Sequence, residues 1–484
     1  MSTSPSPEGC AYVGDTIDPE HGKAPLQSTA RSASPANDSP PIHQLPSELL
    51  ADIFDYTVPP TWYPHYAGRH TLNFPQVCAS WRAVAHTCMS HLWADIRVHV
   101  EHSPRAWGAA VARYLARSQP RPLSVTLDFT IDPNPFCESD VWPRIAWSPA
   151  AWDLLCAQSA RWAAVRLDAV PRAAYDRPPV RCPLLARLSL GLEDTARVPT
   201  EFFADAQAVR ALAVSLEDKP AVFAVPSAWQ LTRLVIMDRI VPTAGTFGAC
   251  ADALRACSGT LTYLAVDVMV FGEWEGPPVS LDALRTLYLA RGAVEPIARY
   301  LTVPNIHTLT LYAGWGSPRQ GELDALALMV QRSDGLQALR TLYLRAMKAD
   351  GNAILRCLAL LPSVTTLTLD VHAQTTMQEH ITIASGLWQR ARDPGSLPNG
   401  PSRLLVAFRV LPNLTALAIV FGYEKRHYWN PMLSTVIRHM LERRATDPLY
   451  GRLLKTFDTD LIGDWPVPSA FSEGEWVEFP VPSL

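Results

Sequence analysis

The chain has 484 residues, 48% of them hydrophobic and 18% charged, with a formal net charge of −4. Most of the chain can therefore bury a core, and the charge balance gives no general attraction to nucleic acid or to an anionic membrane. No stretch approaches ~18 uninterrupted apolar residues, so no membrane span is predicted.

Residues 1–41 are rich in Ser, Pro, Thr, Gly and Ala and show little periodicity. Such composition cannot bury enough apolar surface to fold, so a disordered tail is expected. It also lacks the basic start and apolar run of a secretory signal.

The first ordered element is predicted in "LPSELLADIFDYTV", which begins at Leu45. Pro46 suits the first turn of a helix, where its missing N–H costs nothing. Leu49, Leu50, Ile53 and Phe54 fall at i, i+1, i+4 and i+5, a single apolar stripe on a helix of about three turns. A helix that short is marginal in water, so its stripe must be covered. After the loop "TVPPTWYPHYAGRHTL", a second apolar segment, "VCASWRAVAHTCMSHLWADI", places Val77, Trp81, Val84, Ala85 and Cys88 at helical spacing. Leu92, Trp93 and Ile96 close the unit. Its roughly fifty residues are too few to bury a self-sufficient core easily, so a second surface is expected to complete it.

From Trp162 the chain repeats the hexamer L-x-x-L-x-L. Copies are "WAAVRL" at Trp162, "LARLSL" at Leu185, "VRALAV" at Val209, "LTRLVI" at Leu231, "LTYLAV" at Leu261 and "LRTLYL" at Leu284. They continue as "IHTLTL" at Ile306, a second "LRTLYL" at Leu339, "VTTLTL" at Val364 and "LTALAI" at Leu414. The central leucines are Leu188, Leu212, Leu234, Leu264, Leu287, Leu309, Leu342, Leu367 and Leu417. Most steps between them lie near the ~20–29 residues of a leucine-rich repeat. The last is long enough to hold a degenerate copy or an insertion around "SGLWQRARDPGSLPNGPS". Each hexamer reads as a short strand whose leucines need neighbours to cover them, so copies should stack into a parallel sheet. "GAVEPIARYL", "ELDALALMVQRS" and "NAILRCLALL" read as the intervening helices. The residues between the leucines point to the other face, which would expose Tyr263, Tyr288, Tyr312 and Tyr343 together with Thr286, Thr308, Thr310, Thr341, Thr366 and Thr368. The four tyrosines are the best guess at a surface for a protein substrate, although Thr and Tyr are also simply good strand formers.

The expected fold class is thus α/β: a small all-α unit at 42–97, a connecting segment or cap at 98–160, a solenoid at 161–460 with strands concave and helices convex, and a cap or tail at 461–484.

Chemistry is not indicated. No GxGxxG, GxxxxGK[ST], GxSxG or HExxH occurs. His65, His70, His86, His91, His99 and His102 cluster without cysteine or carboxylate at ligand spacing, and read as surface or loop side chains. The nine cysteines are scattered and form no CxxC, which suggests reduced thiols in a cytoplasmic or nuclear protein. No catalytic residue, metal or cofactor is expected.

Leu45, Pro46, Glu48, Leu49, Leu50, Ile53 and Phe54, then Val77, Cys78, Trp81, Arg82 and Ala85, then Leu92, Trp93 and Ile96 resemble the three blocks of an F-box in order: LPxEllxxIF, VCxxWRxxA and LWxxI. The likeness covers about a tenth of the chain. With the irregular leucine-rich repeats behind it, the whole resembles the F-box proteins expanded in fungi. The loop between the first two blocks is longer than in many F-boxes. The resemblance implies binding of a Skp adaptor, and through it a cullin scaffold, in a ubiquitin ligase whose substrate the rest of the chain holds. By that match Leu45, Pro46, Leu49, Leu50, Ile53 and Phe54 would meet the adaptor. Val77, Trp81, Leu92 and Trp93 would border the contact or pack the helices together. The alternative is a leucine-rich scaffold whose F-box serves assembly outside a ubiquitin ligase.

Overall fold

In the computed structural model of the chain, the residues described are 45–57, 77–99, 104–129, 147–192, 198–216, 224–238, 247–268, 274, 276–313, 321–345, 351–370, 411–420 and 456–459. The tail 1–41, the loop after Thr57, the candidate insertion before Leu411 and the segment 461–484 lie outside them.

Three helices come first: α1 (Ser47–Thr57), α2 (Ala79–Thr87) and α3 (Ser90–Ala94). The chain then passes from α3 into β1 (Asp95–His99) with no residue between. Next come α4 (Pro104–Arg117), β2 (Leu123–Asp128), α5 (Pro149–Cys156), β3 (Trp162–Asp168), β4 (Arg187–Leu192), α6 (Val198–Phe202), β5 (Ala211–Leu216) and β6 (Arg233–Asp238). They are followed by α7 (Phe247–Ala256), β7 (Tyr263–Val268), β8 (Val279–Ser280), β9 (Thr286–Arg291), α8 (Val294–Tyr300), β10 (Leu301–Thr302) and β11 (Thr308–Tyr312). The last are α9 (Glu322–Arg332), β12 (Thr341–Arg345), α10 (Gly351–Ala359), β13 (Thr366–Asp370), β14 (Ala416–Val420) and β15 (Thr456–Thr459).

Thirteen of these strands form one parallel sheet, in chain order from β1 to β15. The remaining pair, β8 and β10, make a small parallel sheet of their own. Parallel neighbours need a crossover between them, and among the described residues an α-helix lies in seven of these crossovers, from α4 between β1 and β2 to α10 between β12 and β13. The three segments read from sequence as helical become α8, α9 and α10.

The register follows the hexamer. Leu188, Leu212, Leu234, Leu264, Leu287, Leu309, Leu342, Leu367 and Leu417 pair in succession, so the nine central leucines stand in one row across nine strands. Val165, Val125 and Ile96 extend that row to β1. The first residues of the hexamers, from Leu185 to Leu414, form a second buried row. Burial of this kind contributes roughly 1.5–3 kcal/mol per large side chain, and it fixes register because a one-residue slip would turn every leucine outward. The second residues carry a backbone ladder: Thr232 N–H donates to Arg210 O, Thr262 N–H to Thr232 O, and so on to Thr415 N–H, which donates to Thr365 O. Threonine hydroxyls add to it, as from Thr262 Oγ1 to Thr232 O at 2.9 Å.

One face of the sheet packs with the helices into a continuous core. At its early end this core is aromatic: Trp152, Trp162, Phe202 and Phe203 are fully enclosed, with Trp152 against Trp162 at 5.8 Å between ring centroids. The other face carries a separate small cluster of Ala213, Val235, Ala265, Tyr288 and Ala290.

The domain boundaries move. The sheet starts at Asp95, inside the segment assigned by sequence to the helical unit. Residues 98–160, expected as a connecting segment or cap, supply β2 and two helices of the main structure. The reason lies in period: Leu123, Val125 and Leu127 alternate as buried residues without the L-x-x-L-x-L spacing.

Candidate interaction surfaces

The helical unit has two apolar faces on α1. Successive residues of a helix turn by about 100°, so Leu49 and Ile53 share one direction and Leu50 and Phe54 another. Leu50 and Phe54 are each 2% exposed and pack with Val84, Ala85 and Met89. Phe54 also meets Trp81 at 4.9 Å between centroids. Cys78 caps α2 through its sulfur, which accepts the Trp81 backbone N–H. Trp93 is enclosed and donates Nε1–H to the Ala85 carbonyl at 2.9 Å. Leu45, Trp81 and Leu92 are half-buried against the same cluster.

Leu49 is 49% exposed, Ile53 40% and Val77 60%. Pro46 is exposed at the start of the same face, and Tyr56, 92% exposed, continues it one turn beyond Ile53. The ten residues proposed from sequence to meet or border a partner therefore divide. Leu50, Phe54 and Trp93 are internal; Pro46, Leu49, Ile53 and Val77 are presented outward. Tyr56 was missed. Its spacing of seven from Leu49 was the available signal, obscured because Asp55 interrupts the apolar run after Phe54.

Charge gathers at the base of the unit. The Arg117 guanidinium lies over Trp93, Tyr114 meets the same indole edge-on at 5.2 Å, and His86 sits 5.8 Å from it. Burial, then the cations Arg117 and Arg82, hold the His86 imidazole below its usual pKa.

The second surface is the sheet face opposite the helices. The strand alternation puts Tyr263, Tyr288, Tyr312 and Tyr343 there, as the hexamer implied. Tyr263, Tyr288 and Tyr312 run diagonally, each one strand on and two residues further along. Exposure is not uniform. Tyr288 is 6% exposed and Thr310 7%, so these two are not open contacts. They sink because neighbouring side chains close over them: the small residues Ala265 and Ala290 let Tyr288 lie down among Tyr263, Tyr312 and Met237. Tyr263, Tyr312 and Tyr343 remain half-buried.

Arginines accompany the tyrosines. Arg233 lies over Tyr263 at 4.1 Å from the centroid and Arg345 over Tyr312 at 5.4 Å. Arg291 pairs with the Asp267 carboxylate and donates Nη2–H to the Asp267 carbonyl at 2.8 Å. Burial is the main cause that raises the Tyr288 phenol above its ordinary pKa, with Asp267 adding to it. Burial raises Tyr263 as well, and Arg233 opposes the rise.

Among the described residues no group of three or more His, Cys, Asp or Glu could hold a metal ion. Of the clustered histidines, His65, His70 and His102 lie outside those residues. The described cysteines are free thiols. Burial pushes Cys182, Cys250, Cys257 and Cys357 up to about 12. No helix among the described residues is long and apolar enough to cross a membrane. A scan against protein-family models finds no match to this chain, and neither does a search of curated proteins.

Proposed function

We propose that this chain is the substrate-recognition subunit of a Skp–Cullin–F-box type ubiquitin ligase. In this reading residues 42–97 are an F-box that docks on the Skp adaptor, and the leucine-rich repeats behind it form a solenoid that holds a protein substrate. The chain itself performs no chemistry; the recruited ligase subunits do. The three F-box-like blocks support the reading, as does the row of central leucines. The observation that carries it is the pair Leu49 and Ile53, 49% and 40% exposed on a helix whose other apolar pair is already sealed.

Covering Leu49, Ile53 and Val77 would contribute roughly 1.5–3 kcal/mol each, against an association cost of about 4–15 kcal/mol. The three alone leave little net affinity, so Pro46 and Tyr56, exposed beside them, belong to the contact as well.

The test is co-purification of the full chain with a Skp adaptor, wild type against Leu49→Asp/Ile53→Asp. Wild type should capture the adaptor and the double variant should lose it. Equal capture by a folded double variant rejects the interface. Adaptor capture without cullin in the complex would instead favour a scaffold working outside a ligase.

A further inference from the structure

Trp93 gathers groups from three helices. His86, in the last turn of α2, meets the indole at 71° with 5.8 Å between ring centroids. Tyr114 of α4 meets it at 74° and 5.2 Å, and the Arg117 guanidinium of α4 lies 4.5 Å from its centroid. Imidazole and guanidinium are therefore at most about 10 Å apart, close to the screening length of ~10 Å at 0.1 M salt. Arg82 stands one turn before His86 on the same helix.

This contact holds two parts of the molecule together. On one side α1 packs on α2, through Leu50, Phe54, Val84 and Ala85. On the other side α3 runs into β1, and α4 is the first crossover of the sheet. The Ala85 carbonyl that accepts Trp93 Nε1–H at 2.9 Å belongs to the residue before His86, so a shift of this turn strains that bond as well.

The charges that act on His86 are cations. Burial is the largest cause that holds its imidazole below the ordinary pKa of 6.5, followed by Arg117 from α4 and Arg82 from α2. Asp95 of β1 and Arg113 of α4 act on Tyr114 at the same indole. Glu48 and Asp52 of α1 are exposed, as is His91 of α3. A helix end favours a cation through its unpaired carbonyls, yet burial and the two arginines prevail here. The unfolded chain therefore takes up this proton first. The support given by neutral His86 is present above pH 6.5 and is lost as the pH falls below that value.

We infer that the helical unit is coupled to the sheet through an acid-sensitive joint: a proton on His86 sets a third cation beside Trp93 and loosens α2, with α1 packed on it, from α3 and α4. The inference does not depend on what the helical unit binds.

The test is hydrogen–deuterium exchange on the full chain at pH 7.5 and about pH 5.5, the span in which histidine changes charge. Rates are corrected for the intrinsic effect of pH, and peptides from α9 to β12, which contain no histidine, serve as the internal reference. In wild type, opening of the peptides covering α2 and α3 should rise relative to that reference by about two- to fivefold on acidification, as a screened pair of surface charges gives. His86→Gln should abolish the rise, His86→Lys should open the same peptides already at pH 7.5, and His91→Gln should leave the rise intact. No rise in wild type, or the same rise in His86→Gln, overturns the inference. So does loss of the rise in His91→Gln, which would move the effect to that imidazole. Parallel opening of the reference peptides overturns it too, because acid would then act on the whole chain.

Discussion

The guanidinium of Arg117 lies 4.5 Å from the ring centroid of Trp93. The two residues belong to different parts of the chain: Trp93 to the last helix of the N-terminal unit, Arg117 to the first crossover helix of the sheet. With Tyr114 on the indole edge and Nε1–H on the Ala85 carbonyl, Trp93 is the joint between them. Trp93→Ala should therefore cost about 3–5 kcal/mol, as loss of a buried tryptophan does. Trp93→Phe, which keeps a ring but deletes the donor, should cost less. Urea unfolding of both variants checks the order, and equal small losses would remove Trp93 from this role.

Adjacent leucines on α1 should behave oppositely. Leu50→Ala opens a cavity in the helical unit and should destabilise it by about 2–5 kcal/mol. Leu49→Ala removes an exposed side chain and should change stability by less than about 0.5 kcal/mol. Thermal unfolding of the two single variants reads this directly. A large loss from Leu49→Ala would mean that the outer face of α1 is covered within the molecule.

Stability should fall in alkali. The buried thiols of Cys182, Cys250, Cys257 and Cys357 are pushed from 9.0 up to about 12, so the unfolded chain loses these protons first. Their contribution is fully present below pH 9 and is lost as pH rises towards 12. Urea midpoints under reducing conditions should hold between pH 7.5 and 8.5 and drop by pH 10.5, with a smaller drop in Cys357→Ala. Iodoacetamide at pH 8 should label exposed Cys88 ahead of the buried four.

The sheet beyond Trp162 was readable because one physical requirement, two inward leucines three and five residues after a first, repeats at each strand. Nothing but a stacked parallel sheet satisfies it so many times over. β1 and β2 escaped because "DIRV" and "LSVTLD" meet the same burial requirement by plain alternation, without the repeated first leucine. On α1, the run Leu49, Leu50, Ile53, Phe54 told that an apolar stripe exists but not that it is wide enough to serve two surfaces. The pattern records hydrophobicity, and the position of α2 decides which half is sealed. The depth of Tyr288 was likewise invisible, since it depends on Tyr263 and Ala265 in the strand before and Tyr312 in the strand after, each more than twenty residues away.

Every strand of the large sheet bonds only to the strands of that same sheet that come before and after it in the chain. A unit can therefore be added or dropped without instructing the others anew. Fifty residues separate Leu367 from Leu417, yet the two stand side by side. An excursion of that length was accommodated at the seam between two units and left the row of leucines in step. Lengthening at such seams is how a protein of this build can acquire new surface while its scaffold stays unaltered.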